Sequence, residues 1–93
     1  VLQYELLKEI ESVTDVPLVI HGSTGLSDED LVKLQPYRIG KMNIGTAVRM
    51  AFGNSMRAFF NSNPDEFDRV KAFAPAMALS KEVVMNKYRL LGW

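Results

Sequence analysis

Leu2, Leu6, Leu7, Ile10 and Val13 recur at helical spacing, with Glu5, Lys8, Glu9 and Glu11 between them. This pattern predicts a surface helix with a single apolar stripe. Thr14-Asp15 interrupts it, and Pro17 opens a short apolar run, Leu18–Ile20, at the strand position where a proline costs least. The run is continuous rather than alternating, which suits a central parallel strand covered on both faces. Ser27 offers an N-cap and Asp30 follows three residues later in a capping-box-like arrangement. Together they predict a short helix from Asp28 to about Leu34, stopped by Pro36. A second strand is expected over Lys41–Ile44. Leu18 to Ile44 then reads as a strand-helix-strand crossover, expected to be right-handed.

The longest predicted helix runs from Thr46 to Asn61. Val48, Ala51, Phe52, Ser55, Met56, Phe59 and Phe60 form its inner face, and Arg49, Asn54 and Arg57 point outward. The polar break NSNPDEFD, residues 61–68, carries Pro64 at a helix start with Asp65 and Glu66 in the first turn. Phe67, Val70 and Phe73 are expected to dock that turn. A last helix is predicted from Ala76 to Leu91, opened by Pro75, with Met77, Val84, Tyr88 and Leu91 inward.

Two short parallel strands and their helices leave a narrow sheet with an uncovered apolar face. We therefore expect a piece of a larger α/β fold, or a chain that needs a partner. Composition narrows the function classes. Eleven basic and eleven acidic side chains give zero formal charge, with no basic block to meet a nucleic-acid backbone or an anionic membrane. Cysteine is absent, which removes disulfides and thiolate metal sites and suits an intracellular protein. No apolar run approaches the roughly 20 residues of a membrane-spanning helix, and the opening VLQYELLKEI has no basic segment of a signal peptide.

Candidate chemistry gathers at two strand ends. His21, the one histidine, directly follows Leu18–Ile20. It is open to three readings: a satisfied core histidine, a general base, or a metal ligand whose second nitrogen is held by a neighbour. A catalytic zinc needs about three protein ligands, so further ligands must come from elsewhere. Gly22, Ser23, Thr24 and Gly25 form a turn whose amides and hydroxyls can cradle a phosphoryl oxygen, or simply a tight turn. It is neither a Walker loop nor a dinucleotide fingerprint. Asn43 and Gly45, two apart at the end of the second strand, are expected to face one cavity, with Thr46 as an N-cap or an anion ligand. Two adjacent loops of this kind suit the phosphate site of a β/α barrel.

At these residues the chain resembles the class II, metal-dependent ketose-bisphosphate aldolases. The resemblance is carried by PLVIHGSTGLSDEDLVKL, KMNIGTAVRMAF, NPDEFD and KEVVMNKYRLLG, in that order over nearly all 93 residues. It implies the C-terminal part of a (β/α)8 TIM barrel: residues 1–93 as a partial domain holding the helix after strand six, strands seven and eight, and the closing helices. By resemblance, His21 is the last histidine ligand of the catalytic zinc. Gly22 and Thr24 hold the substrate phosphate, with Ser23 in the same loop and Gly25 shaping it. Asn43 contacts the dihydroxyacetone part of the substrate, and Gly45 and Thr46 complete the phosphate loop. The implied reaction is reversible cleavage of a ketose 1,6-bisphosphate to dihydroxyacetone phosphate and an aldehyde. Implied partners are zinc, a monovalent cation near the phosphate loops, the N-terminal part of the barrel in the same or a separate chain, and further copies in a homo-oligomer. A cytoplasmic enzyme of carbohydrate metabolism is expected.

The chain departs from the family pattern in places. Ser23 replaces a usual glycine, Ala47 a common aspartate, Gly45 an aspartate of some members, and Arg38 a common glycine. These leave the choice between fructose and tagatose bisphosphate open. The acid/base carboxylate and the other zinc ligands are missing, so the isolated chain is expected to be inactive. A non-catalytic sugar-phosphate module, or an inactive barrel fragment, is the alternative.

Overall fold

In the computed structural model, which describes residues 2–93, the elements run α1 (Tyr4–Val13), β1 (Leu18–Ile20), a 3-10 turn (Ser23–Gly25), α2 (Asp28–Lys33), β2 (Ile39–Met42), α3 (Thr46–Ser62) and α4 (Arg69–Leu91). The chain divides into two units, one reaching to Ile44 and taking in Lys87–Trp93, the other Gly45–Asn86.

In the first unit β1 and β2 pair in parallel, with Leu18 opposite Ile39, Val19 opposite Lys41 and Ile20 opposite Met42. The partner strand thus skips Gly40 between Leu18 and Val19, an irregularity with a steric origin. A Cβ on Gly40 would stand 2.7 Å from the Pro17 ring, so only glycine lets the strands close there. The second strand begins and ends two residues earlier than its apolar pattern indicates. Its ladder starts where Ile39 enters the core, and Asn43 and Ile44 already belong to the loop.

That core consists of Leu31, Leu34, Ile39 and Leu91, with Leu2, Tyr4, Leu7, Leu18, Ile20 and Met42 packed against it. Leu31 and Leu34 are 0% and 1% exposed. Burial of each contributes about 1.5–3 kcal/mol. The expected capping box forms in full: Ser27 Oγ accepts the Asp30 N–H, and Asp30 accepts from the Ser27 N–H. The other Asp30 oxygen accepts from Tyr4 Oη at 2.7 Å, joining α1 to α2. Arg38 closes the opposite end of α1. No basic residue lies in its last turn, and the Arg38 guanidinium donates instead to the Glu11 and Thr14 carbonyls. A cation at helix C-terminal carbonyls meets both their hydrogen-bonding need and the helix dipole.

β1 matches a parallel strand, yet Val19 is 45% exposed, because β2 is its one partner among the described residues. The sheet is not closed into a barrel. This is a small α/β unit of the kind that makes up part of a larger barrel-type fold.

In the second unit α3 half-buries Val48, Ala51, Phe52, Met56, Phe59 and Phe60, buries Ser55, and leaves Arg49, Asn54 and Arg57 exposed, as its pattern predicts. The following segment differs from expectation. Pro64 starts no helix. α4 instead begins at Arg69, where Asp68 Oδ1 accepts the Val70 N–H in the manner of an N-cap, and it runs on through Pro75. A proline in a helix interior withholds one backbone donor. Close packing on both sides of it, through the fully buried Ala72 and Ala76, offsets that loss. These alanines, with Leu91 in the first unit, take the inward positions assigned to Met77, Val84 and Tyr88, all of which are exposed. Phe73 docks on Phe52 with ring centroids 5.9 Å apart, whereas Phe67 and Val70 remain exposed, Phe67 by 92%.

Two stability predictions follow from the first unit. Leu31→Ala should cost about 3 kcal/mol in denaturant unfolding; a loss under about 1 kcal/mol would contradict its place in the core. The Tyr4–Asp30 bond sets a pH window. The Tyr4 hydrogen bond, then those from Ser27, hold the Asp30 carboxyl below its ordinary value of 3.8. The same bond, with burial second, pushes Tyr4 from 10.0 up to about 12. The lowered group contributes stability above about pH 4 that is lost as pH falls through its folded value. The raised group contributes stability below pH 10 that is lost as pH rises through about 12. Tyr4→Phe should therefore lower the melting temperature at pH 7 and narrow its deficit at pH 3; an equal deficit at both would contradict the bond.

Candidate functional site

Parallel pairing sets the C-terminal ends of β1 and β2 side by side, and the candidate residues of the first unit lie there. The ladder extends one step past the strands, through the Asn43 N–H to the Ile20 carbonyl at 2.9 Å. His21 and Asn43 are thereby brought level, and Asn43 Nδ2 lies 2.9 Å from His21 Nδ1. The carboxamide and the imidazole are thus within hydrogen-bond distance of each other. His21 is exposed in this chain.

The next loop is anchored to the same residue. Gly22 turns the chain with φ +63°, a left-handed conformation that a side chain disfavours. Ser23 then swings inward: it is 2% exposed, its hydroxyl donates to the Asn43 carbonyl at 2.6 Å, and its N–H points to the same oxygen at 3.4 Å. Ser23 is thus a latch between the loop and the end of β2. The turn closes with the Leu26 N–H donating to the Ser23 carbonyl, and Gly22, Thr24 and Gly25 are left exposed around it.

In the second unit Gly45 and Thr46 open α3. Gly45 is the N-cap and Thr46 the first helical residue, so the N-cap reading of Thr46 moves by one position. The N-cap Gly45 makes no side-chain capping bond, and no acidic residue stands in the first turn. A helix N-terminus of this kind favours anions. Beside it, Thr46, Arg49, Met50, Gly53, Asn54 and Arg57 line a groove of about 400 Å³, in which Arg57 donates to Asn54 Oδ1 at 2.9 Å. The signal was the spacing of 46, 49, 50, 53 and 57 along one helical face. The outward placing of Arg49 and Arg57 in the sequence pattern does not by itself show that they border a common groove.

Among the described residues no three His, Cys, Asp or Glu side chains converge to hold a metal. His21, an exposed imidazole at a strand end, has the chemistry of one ligand in a larger set, with Nδ1 here paired to the Asn43 carboxamide. Among the described residues no helix is long and apolar enough to cross a membrane.

Parallel strands with polar loops at their C-terminal ends are the ground plan of α/β barrel enzymes. Residues 1–93 match the family model described as "Fructose-bisphosphate aldolase class-II". The fructose-bisphosphate aldolases of two strains of Staphylococcus epidermidis are each 35% identical to this chain over 91 residues, covering 98% of it and 32% of the relative. The chain belongs to the class II fructose-bisphosphate aldolase family, and it spans about a third of the length of these relatives.

The latch makes a direct prediction. Ser23→Ala removes a buried hydroxyl donor and should cost about 1 kcal/mol of stability, read by thermal unfolding; an unchanged melting temperature would mean the bond does not hold the turn.

Proposed function

We propose that this chain is the C-terminal part of the (β/α)8 barrel of a zinc-dependent ketose-bisphosphate aldolase. In this reading residues 1–93 form a partial domain, with β1 and β2 as strands seven and eight, α1 as the helix after strand six, and α3 and α4 closing the barrel. The observation that carries the proposal is the pairing of His21 with Asn43 at adjacent strand ends, next to an exposed Gly22–Gly25 turn, in a chain of this family.

His21 would be one of the zinc ligands, the others lying in the rest of the barrel. Bound zinc supplies a Lewis acid that polarises the substrate ketone. The work of this chain is to bind and orient. The Gly22 amide and Thr24 hydroxyl would hold one phosphate of the ketose bisphosphate, with Gly25 giving the turn its shape. Ser23 holds that turn to Asn43. Gly45 and Thr46 would contribute amides and a hydroxyl to phosphate binding, where a monovalent cation could also balance charge. The Asn43 carboxamide would contact the hydroxyl and carbonyl oxygens of the dihydroxyacetone portion, orienting it as the carbon–carbon bond breaks to release an aldehyde. The proton transfers would fall to a carboxylate in the remaining barrel. The isolated chain would therefore be inactive, and the active form would be the whole barrel assembled as a cytoplasmic homo-oligomer.

In the full protein His21→Ala should abolish stoichiometric zinc and reduce cleavage of fructose and tagatose bisphosphate to background. Full zinc content with normal turnover would overturn the assignment. Thr24→Ala should raise KM for the bisphosphate about tenfold or more, the worth of one hydrogen bond to a charged group. An unchanged KM would exclude Thr24 from phosphate binding.

A further inference from the structure

The skip at Gly40 decides where Lys41 stands. Leu18 pairs with Ile39 and Val19 with Lys41, so Gly40 is the extra residue of a bulge, and every later residue of β2 changes face relative to an unbroken strand. Without the bulge, Lys41 would oppose Ile20 on the core side. With it, Met42 joins Leu18 and Ile20 against the Leu31–Leu34 core, and Lys41 lies beside Val19 on the opposite face, both exposed. The same face carries His21 and Asn43, each two residues further along its strand in a ladder that the Asn43 N–H continues. Lys41 is therefore one register step beneath the His21–Asn43 pair, about 6–7 Å along the sheet. In a β/α barrel the face turned away from the helices is the packed interior. An ammonium placed there is costly unless an anion meets it. Val19 opposite is apolar, and among the described residues no carboxylate lies within ion-pair distance of Lys41.

We propose that Lys41 is a positioning residue of the aldolase site: in the whole barrel it pairs with an inward carboxylate from the part outside this chain and holds that group beneath His21 and Asn43. This rests on the reading of β1 and β2 as adjacent barrel strands with the site at their C-terminal ends. The ion pair forms the floor of the site and touches no substrate. The Gly22–Gly25 turn, where a phosphate is held, lies beyond the strand ends, so the cation has no part in substrate affinity. Its effect falls on the reacting end of the substrate, next to Asn43. A carboxylate deprived of its cation in the interior takes up a proton or leaves its place, and the field in which charge develops during cleavage changes with it. The bulge at Gly40, closed against Pro17, thus serves to turn one charged side chain inward.

The test uses the full-length, zinc-loaded protein and compares wild type with Lys41→Met, Lys41→Arg and His21→Ala in cleavage of fructose bisphosphate. Methionine keeps the length of the side chain without its charge. Lys41→Met should lower kcat about tenfold or more, because one partner of a buried pair is left uncompensated, while KM stays within about twofold and zinc remains stoichiometric. Lys41→Arg, which keeps the charge, should recover much of the lost kcat. A second measurement needs no variant. Native wild-type protein is treated with an amine-acylating reagent, and the modified lysines are followed by mass spectrometry. Lys41 should react at least about tenfold more slowly than Lys8, since a buried amine reacts only through opening of the fold; the Lys8 side chain is 60% exposed. Wild-type kcat in Lys41→Met, an arginine variant no better than the methionine one, or acylation of Lys41 as fast as Lys8 would each overturn the proposal. Full zinc content and turnover in His21→Ala would instead overturn the reading of the site beneath it.

Discussion

The site in the first unit rests on the backbone of one residue, Asn43. Its N–H extends the parallel ladder by one bond to Ile20, and its carbonyl accepts the buried Ser23 hydroxyl. The first bond keeps the two strand ends level, and the second anchors the Gly22–Gly25 turn to the end of β2. The His21–Asn43 contact follows from both, because residues at matching positions beyond a parallel pair stand side by side. Rigid strand ends carrying short polar loops are how α/β folds place chemistry, and here the Ser23 hydroxyl and N–H tie the loop back to the end of β2.

The ladder in turn depends on what lies beneath it. Leu31 of a six-residue helix and Leu34 at its C-cap lie in the core with Ile39 of β2, and so short a helix has little stability of its own. Its full capping box, the Tyr4 bond to Asp30, and the Arg38 guanidinium on the end of α1 supply what its length does not. Arg38 has a structural occupation here, at the junction of α1 with the entry to β2.

Much of this was legible in the chain. The helical stripe of α3, the apolar run of β1, and Ser27 with Asp30 located three elements to within a residue or so, because each is fixed by local periodicity or capping. The start of α4 was not, since Pro75 reads as a helix opener and Asp68 as one acid among several in a polar loop. The inward positions beside this proline are the buried Ala72 and Ala76, and small residues leave a weak hydrophobic signal. For the site, the sequence pointed to His21, the Gly22–Gly25 turn and Asn43. It did not show that Ser23 faces inward, because a hydroxyl beside two glycines looks like one more donor for a ligand. It also did not show that His21 and Asn43 touch, which depends on a register that includes the skip at Gly40.

Val19, half-exposed on a strand whose composition suits burial on both faces, agrees with a chain that spans 32% of the length of its relatives. The proposal that His21 joins a zinc centre above adjacent barrel strands is tested most directly by a crystal structure of the full-length, zinc-loaded protein with a bound sugar phosphate, using anomalous scattering at the zinc edge. The account predicts a zinc peak about 2.0–2.1 Å from a His21 ring nitrogen and a phosphate against the Gly22–Gly25 turn. A zinc peak remote from His21, with its Nδ1 still held by Asn43, would contradict it.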